Sequence, residues 1–396
     1  MTPGEIYVVE HKTSSLDIGA GTPYWRRLTL DSQVSNYLRG AKSTGLDARG
    51  VLYDVVRKVG LQPYAATPEE QRKYTAPKDK ACPLCKKKGT PPAPHLIELE
   101  VGVFDRVVAC HEGRVVTDPG GKLYANLRDR DETLDEYRER VRTDIGSNPE
   151  KYYQRGVVVR LPEEERDAAY NAWWVGREIR ESQLAARWPQ NDAACDSYGS
   201  LCAYFDVCTG VASIDDPTRF AVKESTHTEL DEPSEAELGA RRRLPILSTS
   251  SARAYRSCPR KYFYAYEQRK RLITDKHALR FGTLFHIGLE AWWRGEGIAN
   301  AIAAMRAAYA KLEADPIDAV RAEEMLLGYH VKWRNEPLDV LAVESQFHTP
   351  LTNPETGHAS KTWQLGGKID AIVRVAEVAD VHQDTVPAPS AEQGAA

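Results

Sequence analysis

The sequence predicts an α/β (α+β) fold on three observations. Short, β-branched, apolar runs of strand length recur at residues 5–12, 50–56, 156–161, 338–348 and 362–375. Longer stretches with apolar side chains at three- and four-residue spacing lie at 29–41, 163–187, 249–267, 281–294, 297–313 and 317–335. The 396 residues are 42% hydrophobic and 28% charged, a globular balance that excludes fibrous, collagen-like and wholly disordered classes. No run approaches the ~18–20 apolar residues of a membrane span, and Met1-Thr2-Pro3-Gly4-Glu5 lacks a basic-then-apolar signal layout, so a soluble, cytoplasmic protein is expected. The 53 Lys+Arg against 57 Asp+Glu give a net charge of −4, which excludes a globally basic nucleic-acid coat but leaves room for a local basic groove.

The first strand, 5–12, is apolar until its far end, and the two-residue period of a strand puts Glu10 and Lys12 on one face. Leu30, Val34, Tyr37, Leu38 and Ala41 then mark a helix face over 29–41, and a strand follows at 50–56. Residues 64–123 turn Pro-, Lys- and Gly-rich, which reads as an irregular insertion holding one hairpin, Leu96–Val108 against Arg114–Thr117. A charged surface helix is expected at 128–145. The helix over 163–187 opens on Pro162-Glu163-Glu164-Glu165, acids placed where a helix N-terminus favours them. Residues 209–247 have linker composition. The strands at 338–348 and 362–375 flank the turn Asn353-Pro354-Glu355-Thr356-Gly357, and 376–396 is a Pro/Ala/Gln tail expected to be disordered.

Cysteines stand at 82, 85, 110, 195, 202, 208 and 258. An odd count without a secretion signal argues against a disulfide framework and for metal ligation. Cys82-x2-Cys85, with Cys110, His111 or His95, could hold Zn²⁺; the competing reading is a solvated loop carrying Lys78, Lys80, Lys86, Lys87 and Lys88.

Three segments carry the residue types of hydrolytic metal chemistry. Gly366-Gly367-Lys368-Ile369-Asp370 sets a carboxylate in an apolar strand, Glu10-His11-Lys12 ends another strand, and Phe281-Gly282-Thr283-Leu284-Phe285 leads His286 into a helix. Mg²⁺ and Mn²⁺ take hard oxygen ligands, and a lysine beside such carboxylates can orient or deprotonate an attacking water and offset phosphate charge. Taken singly, each piece also fits a solvated edge pair, a turn aspartate or a structural histidine.

Together, His286, Gly367-x-x-Asp370, Glu10-x-Lys12 and Gln33-x-x-x-Tyr37 resemble the four motifs of the PD-(D/E)xK nucleases of the RecB-like branch. Residues 250–262 resemble that family's opening helix. The resemblance implies a restriction-endonuclease-like core, a central mixed β-sheet flanked by helices. It also implies Mg²⁺ or Mn²⁺ held by His286, Asp370, Glu10 and the His11 carbonyl, with Lys12 serving the water and Gln33 and Tyr37 steadying lysine and substrate. Cys195-x6-Cys202-x5-Cys208 with Cys258 resembles the iron–sulphur staple of CRISPR-adaptation and recombination exonucleases, which implies a structural 4Fe-4S cluster. Zinc at the same four thiols and free buried cysteines remain open. The implied activity is a DNA exonuclease of phage or bacterial recombination and repair. Its substrate would be single-stranded DNA or duplex ends, and its partner a recombinase, helicase or adaptation complex. A catalytically inactive DNA-binding accessory on the same fold, or a mis-joined nuclease sequence, is the alternative.

The motif order is rotated relative to that family. Residues 1–208, with the insertion at about 64–123, correspond to the second half of the core, 209–247 to a linker, and 248–375 to the first half. A circular permutation, a fusion of halves and an arbitrary cut of a circular sequence would each produce this order. Permutation is favoured: the break falls at a hairpin between the Asp370 and Glu10 strands, and a flexible linker of that length reaches ~30–40 Å. Two chains exchanging halves would give the same contacts.

Residues 253–280 carry nine Lys/Arg against Glu267 and Asp275, interleaved with Tyr255, Tyr262, Phe263, Tyr264 and Tyr266. That is the pattern of a single-strand groove, with about half of the aromatics expected in the core. Trp173/Trp174 and Trp292/Trp293 are expected to pack.

Overall fold

Strand β1 (Ile6–Ser14) is buried on both faces at Tyr7, Val8 and Val9, as an interior strand of a sheet must be. In the computed structural model, which describes residues 1–72, 96–101, 105–110, 123–197, 199–227, 230, 244–273, 277–312 and 315–377, it is followed by α1 (Ser32–Ser43) and β2 (Ala48–Arg57). Next come β3 (Leu96–Val101), β4 (Asp105–Cys110), α2 (Leu134–Ser147), β5 (Tyr153–Val158) and α3 (Pro162–Ala185). Then come the two-residue strands β6 (Asp196–Ser197) and β7 (Ser200–Leu201), β8 (Phe220–Val222) and β9 (Ile246–Leu247). The chain continues through α4 (Thr249–Ser257), β10 (Lys270–Leu272), α5 (His277–Trp293), α6 (Ile298–Leu312), α7 (Pro316–Trp333), β11 (Leu338–Thr352) and β12 (Ala359–Val375).

These elements fall into two compact units. One comprises Met1–Lys58, Asn148–Ala314 and Met325–Ala396. Its mixed sheet runs β11-β12-β1-β2-β5, with β9 adding in parallel to β12. Strands β1 and β2 are parallel because α1 carries the chain between them; β12 and β5 flank them antiparallel. The Asp31 side chain caps α1 by accepting from the Gln33 amide at 2.9 Å. That helix then buries Val34, Leu38 and Ala41 against Val8, Val51, Val55, Phe347 and Ile372. A second cluster joins α3 to the far end of the sheet through Val175, Ile179, Trp188, Tyr255 and Trp363.

The other unit comprises Val59–Ser147 and Asp315–Glu324. Its described part is held by Arg138 and Arg142 on Glu323 and Glu324, and by Tyr137, whose hydroxyl donates to the Leu61 carbonyl at 2.8 Å.

Some expectations are corrected. Residues 249–267 are not one helix. Cys258 precedes Pro259, which disfavours helical backbone, so Cys258 extends to φ −161° and α4 stops at Ser257. The described hairpin pairs Leu96–Val101 with Asp105–Cys110, and Arg114–Thr117 lie outside the described residues. Strand β5 sits about three residues before its expected place, because Leu161 and Pro162 already begin α3. The 209–247 segment is not all linker: β8 pairs with β10, and Phe220 stacks on Tyr204. Cys82, Cys85, His95, His111, the loop lysines and residues 378–396 of the expected tail lie outside the described residues.

Candidate active site

Strands β1 and β12 pair from Ile6 opposite Arg374 to Val9 opposite Ala371, and there their ladder ends. The next amide, that of His11, donates instead to Asp370 Oδ2 at 2.8 Å. Strand β1 stays paired to β2 as far as Ser14, so β1 and β12 part where each carries a carboxylate, Glu10 and Asp370.

Into that opening α5 brings His286 and β11 brings Glu344. Ligand atoms of His286, Glu344 and Asp370 all lie within 4.8 Å of one another. His286 Nε2 is 2.9 Å from Glu344 Oε1 and 3.8 Å from Asp370 Oδ1. Burial pulls the His286 imidazole down, but the Glu344 hydrogen bond and the Asp370 charge outweigh it and raise its pKa. Burial would raise Glu344 too, yet His286 and Lys368 hold it at about 2. Glu344 has φ +53°, a left-handed conformation rare for a side-chain-bearing residue. Backbone held this way clusters at functional sites.

Glu10 and Lys12 share the α1 face of β1. Glu10 is 2% exposed; its Oε1 pairs with Lys12 Nζ and accepts from Gln33 Nε2 at 2.9 Å. Gln33 also donates to the Tyr37 hydroxyl at 2.7 Å, since four residues on a helix bring both over one spot. Glu10 Oε2 has no hydrogen-bond partner among the described residues. Burial pushes the Glu10 carboxyl up to about 7 against the pull of Lys12, and the Asp370 charge adds to the rise. Burial likewise lowers Lys12, but Glu10 more than compensates, so the ammonium keeps its proton.

The structure thus brings together Glu10, Lys12, Asp370, His286, Gln33 and Tyr37, from segments up to 360 positions apart (370 − 10). The backbone N–H of His11 reaches the site through Asp370. Glu344 belongs to none of the motifs that mark the other site residues. Its signal was a carboxylate after Val340-Leu341-Ala342-Val343, the same apolar context that exposed Asp370.

Cys195, Cys202, Cys208 and Cys258 line one cavity of about 130 Å³. The Cys202 amide donates to the Cys195 carbonyl at 2.8 Å, and the break at Cys258 turns its side chain in with theirs. Burial, then the neighbouring thiols, raise the pKa of Cys195 and Cys208.

Among the described residues of the basic, aromatic 253–280 segment, part of the aromatics and of the cations is already engaged. Tyr255, Tyr262 and Tyr264 are buried, while Arg253, Arg260 and Lys270 are engaged by Asp31, the Trp188 carbonyl and Asp215. Trp293 packs as expected, but Trp174 is exposed and stacked on Tyr170.

Residues 246–383 match the model of the PD-(D/E)XK nuclease superfamily. The chain therefore carries a PD-(D/E)XK nuclease superfamily domain there, spanning His286, Glu344 and Asp370, on a mixed sheet flanked by helices that is consistent with a restriction-endonuclease-like fold. Glu10, Lys12, Gln33 and Tyr37 lie outside the matched range. No curated protein and no solved structure matches the chain. Among the described residues, no helix is long and apolar enough to cross a membrane.

Proposed function

We propose that this protein is a metal-dependent DNA nuclease, an exonuclease of recombination or repair, that hydrolyses phosphodiester bonds at the Glu10–Lys12–His286–Glu344–Asp370 site. The observation that carries this is the convergence of an imidazole, three carboxylates and an ammonium where β1 and β12 part. The donor set fits Mg²⁺ or Mn²⁺: oxygen ligands with one imidazole, and a buried Glu10 Oε2 without a hydrogen-bond partner among the described residues. Such an ion would polarise a phosphoryl oxygen and lower the pKa of a bound water. His286, Glu344, Asp370 and Glu10 would hold it. Lys12, charged as it stands, would offset the negative charge that builds on the phosphate. Gln33 would fix the Glu10 carboxylate, and Tyr37 would fix Gln33.

The four cysteines would carry a 4Fe-4S cluster as a brace. All four line one cavity, which supports a single shared centre, and four thiolates suit such a cluster. The rotated motif order would be a circular permutation. Gly4 and Val375 already exchange neighbouring hydrogen bonds, Gly4 N–H to the Val375 carbonyl at 2.8 Å and Val375 N–H to the Glu5 carbonyl at 3.0 Å, where a hairpin turn would join β12 to β1.

The decisive assay follows Mn²⁺- or Mg²⁺-dependent nucleotide release from end-labelled single- and double-stranded DNA. Wild type should digest and Lys12→Ala should not, while both still bind DNA. Binding without digestion by wild type would leave a DNA-binding accessory instead. Iron content and visible absorption, lost in Cys202→Ser, test the cluster; an iron-free, colourless, folded protein would remove it.

A further inference from the structure

The most heavily buried carboxylate of the described sheet, Asp54, takes no direct part in the chemistry above. Asp54, 1% exposed, sits on β2 directly across from His11 in the parallel register. It is also in register with Arg155 of β5, which grips it through Nε at 3.0 Å and Nη2 at 3.2 Å. The Tyr329 hydroxyl of α7 donates to Asp54 Oδ2 and accepts from Arg155 Nη2 at 2.7 Å. Arg155 is held in turn by Glu336 and lies over the Trp333 ring, 4.2 Å from its centroid. Replacing a buried ion pair with apolar groups of similar volume often costs no stability, so packing alone is a weak reason for this assembly.

Its connections supply a better reason. Asp54 Oδ2 lies 3.0 Å from His11 Nδ1, and His11 is the residue whose N–H holds Asp370 and whose neighbours are Glu10 and Lys12. The Tyr329 hydroxyl also accepts from Trp293 Nε1 at 3.1 Å. Trp293 stands seven residues, two helical turns, beyond His286 on α5, and its ring lies 5.4 Å from that of His11. One buried network therefore touches both β1, which carries Glu10 and Lys12, and α5, which carries His286.

We infer that Asp54, Arg155 and Tyr329 are positioning residues that fix the β1 strand and α5 relative to Asp370, acting through His11 and Trp293. The inference rests on the nuclease reading of the site. Outer partners of metal ligands set ligand orientation, and losing one typically costs about 10–100-fold in metal affinity or activity.

The test uses the full chain with Mn²⁺ as probe, titrated by electron paramagnetic resonance, alongside cleavage kinetics. Asp54→Asn/Arg155→Met removes both charges of that pair together but leaves Glu336 without its Arg155 partner, and thermal melting checks its fold. The expected result is Mn²⁺ binding and kcat each reduced about 10–100-fold with KM for DNA unchanged. Tyr329→Phe, which loses one hydroxyl and keeps its ring, should move the same two quantities in the same direction. In a His11→Leu background the double substitution should add little, because the link is already cut. Wild-type Mn²⁺ affinity and kcat in folded Asp54→Asn/Arg155→Met, or in Tyr329→Phe, would overturn the inference. Asp370→Ala separates the two levels: if it too keeps wild-type Mn²⁺ binding and cleavage, the nuclease reading itself fails.

Discussion

The backbone N–H of His11 donates to Asp370 Oδ2 at 2.8 Å, joining two residues 359 positions apart. The bond replaces the ladder contact that would have followed Val9 and Ala371, so the edge of the site is made by a side chain standing in for a strand partner. Two substitutions at Asp370 separate its structural and chemical parts. Asp370→Asn keeps an oxygen for the His11 amide and should melt about 1 kcal/mol more stable than Asp370→Ala. Both lose the charge, and both should lose roughly 10²-fold or more in DNA cleavage. Denaturant titration and end-labelled DNA digestion read the two effects apart.

Glu10 makes the site sensitive to pH. Its carboxyl is pushed up to about 7 by burial, from an ordinary 4.5. Between those values the native state holds the proton that the unfolded chain releases, so without metal the stability falls as pH rises through that window. A divalent cation favours the ionised carboxylate and reverses the preference. The gain in melting temperature on adding Mn²⁺ should therefore grow as pH rises through about 7. Glu10→Gln should flatten the metal-free decline. Melting curves with and without Mn²⁺ across the window check both.

How much of this was legible beforehand follows from which facts are local. The strand period alone set Glu10 beside Lys12, while Gln33 and Tyr37 were marked only by the resemblance to the PD-(D/E)xK motifs. Asp370 stood out as a carboxylate inside an apolar run. Glu344 stands in similar company, but its role depends on a left-handed backbone and on facing His286, neither of which a residue pattern encodes. Asp54 and Arg155 acquire meaning only once β2 lies between β1 and β5, a matter of tertiary register. Which of the 253–280 aromatics go to the core is not legible from composition, because stacking surfaces and core share the same residues. Tyr255 and Tyr262 go inward against Trp188.

Gly40 shows how closely α1 approaches the sheet. A Cβ there would stand 2.5 Å from the Phe347 ring, and Phe347 is buried among Tyr37, Leu38 and Ile369 with little room to turn. Gly40→Ala should cost about 1–3 kcal/mol, against the gain that alanine gives in an unobstructed helix. Because the same helix carries Gln33 and Tyr37, cleavage should weaken as well. Phe347→Leu in the same chain should recover part of the stability, measurable by denaturant unfolding.

Glu344 joins strain and chemistry in one residue. Val343 pairs with Ala371 and Ser345 with Ile369, so Glu344 stands opposite Asp370, yet its φ is +53°. A side chain in that conformation costs about 1–2 kcal/mol that glycine does not. Here the cost is offset by the His286 and Lys368 contacts. Remove those contacts and the usual strand ranking should invert: Glu344→Gly should be more stable than Glu344→Ala by about 1 kcal/mol, although glycine ordinarily weakens a strand. Both variants should bind Mn²⁺ more weakly than wild type, for both lack the carboxylate. Equal stability of the two would show that the backbone relaxes out of the left-handed region once the carboxylate is gone. Chemical denaturation of the pair, with Mn²⁺ titration of each, separates the backbone term from the ligand term.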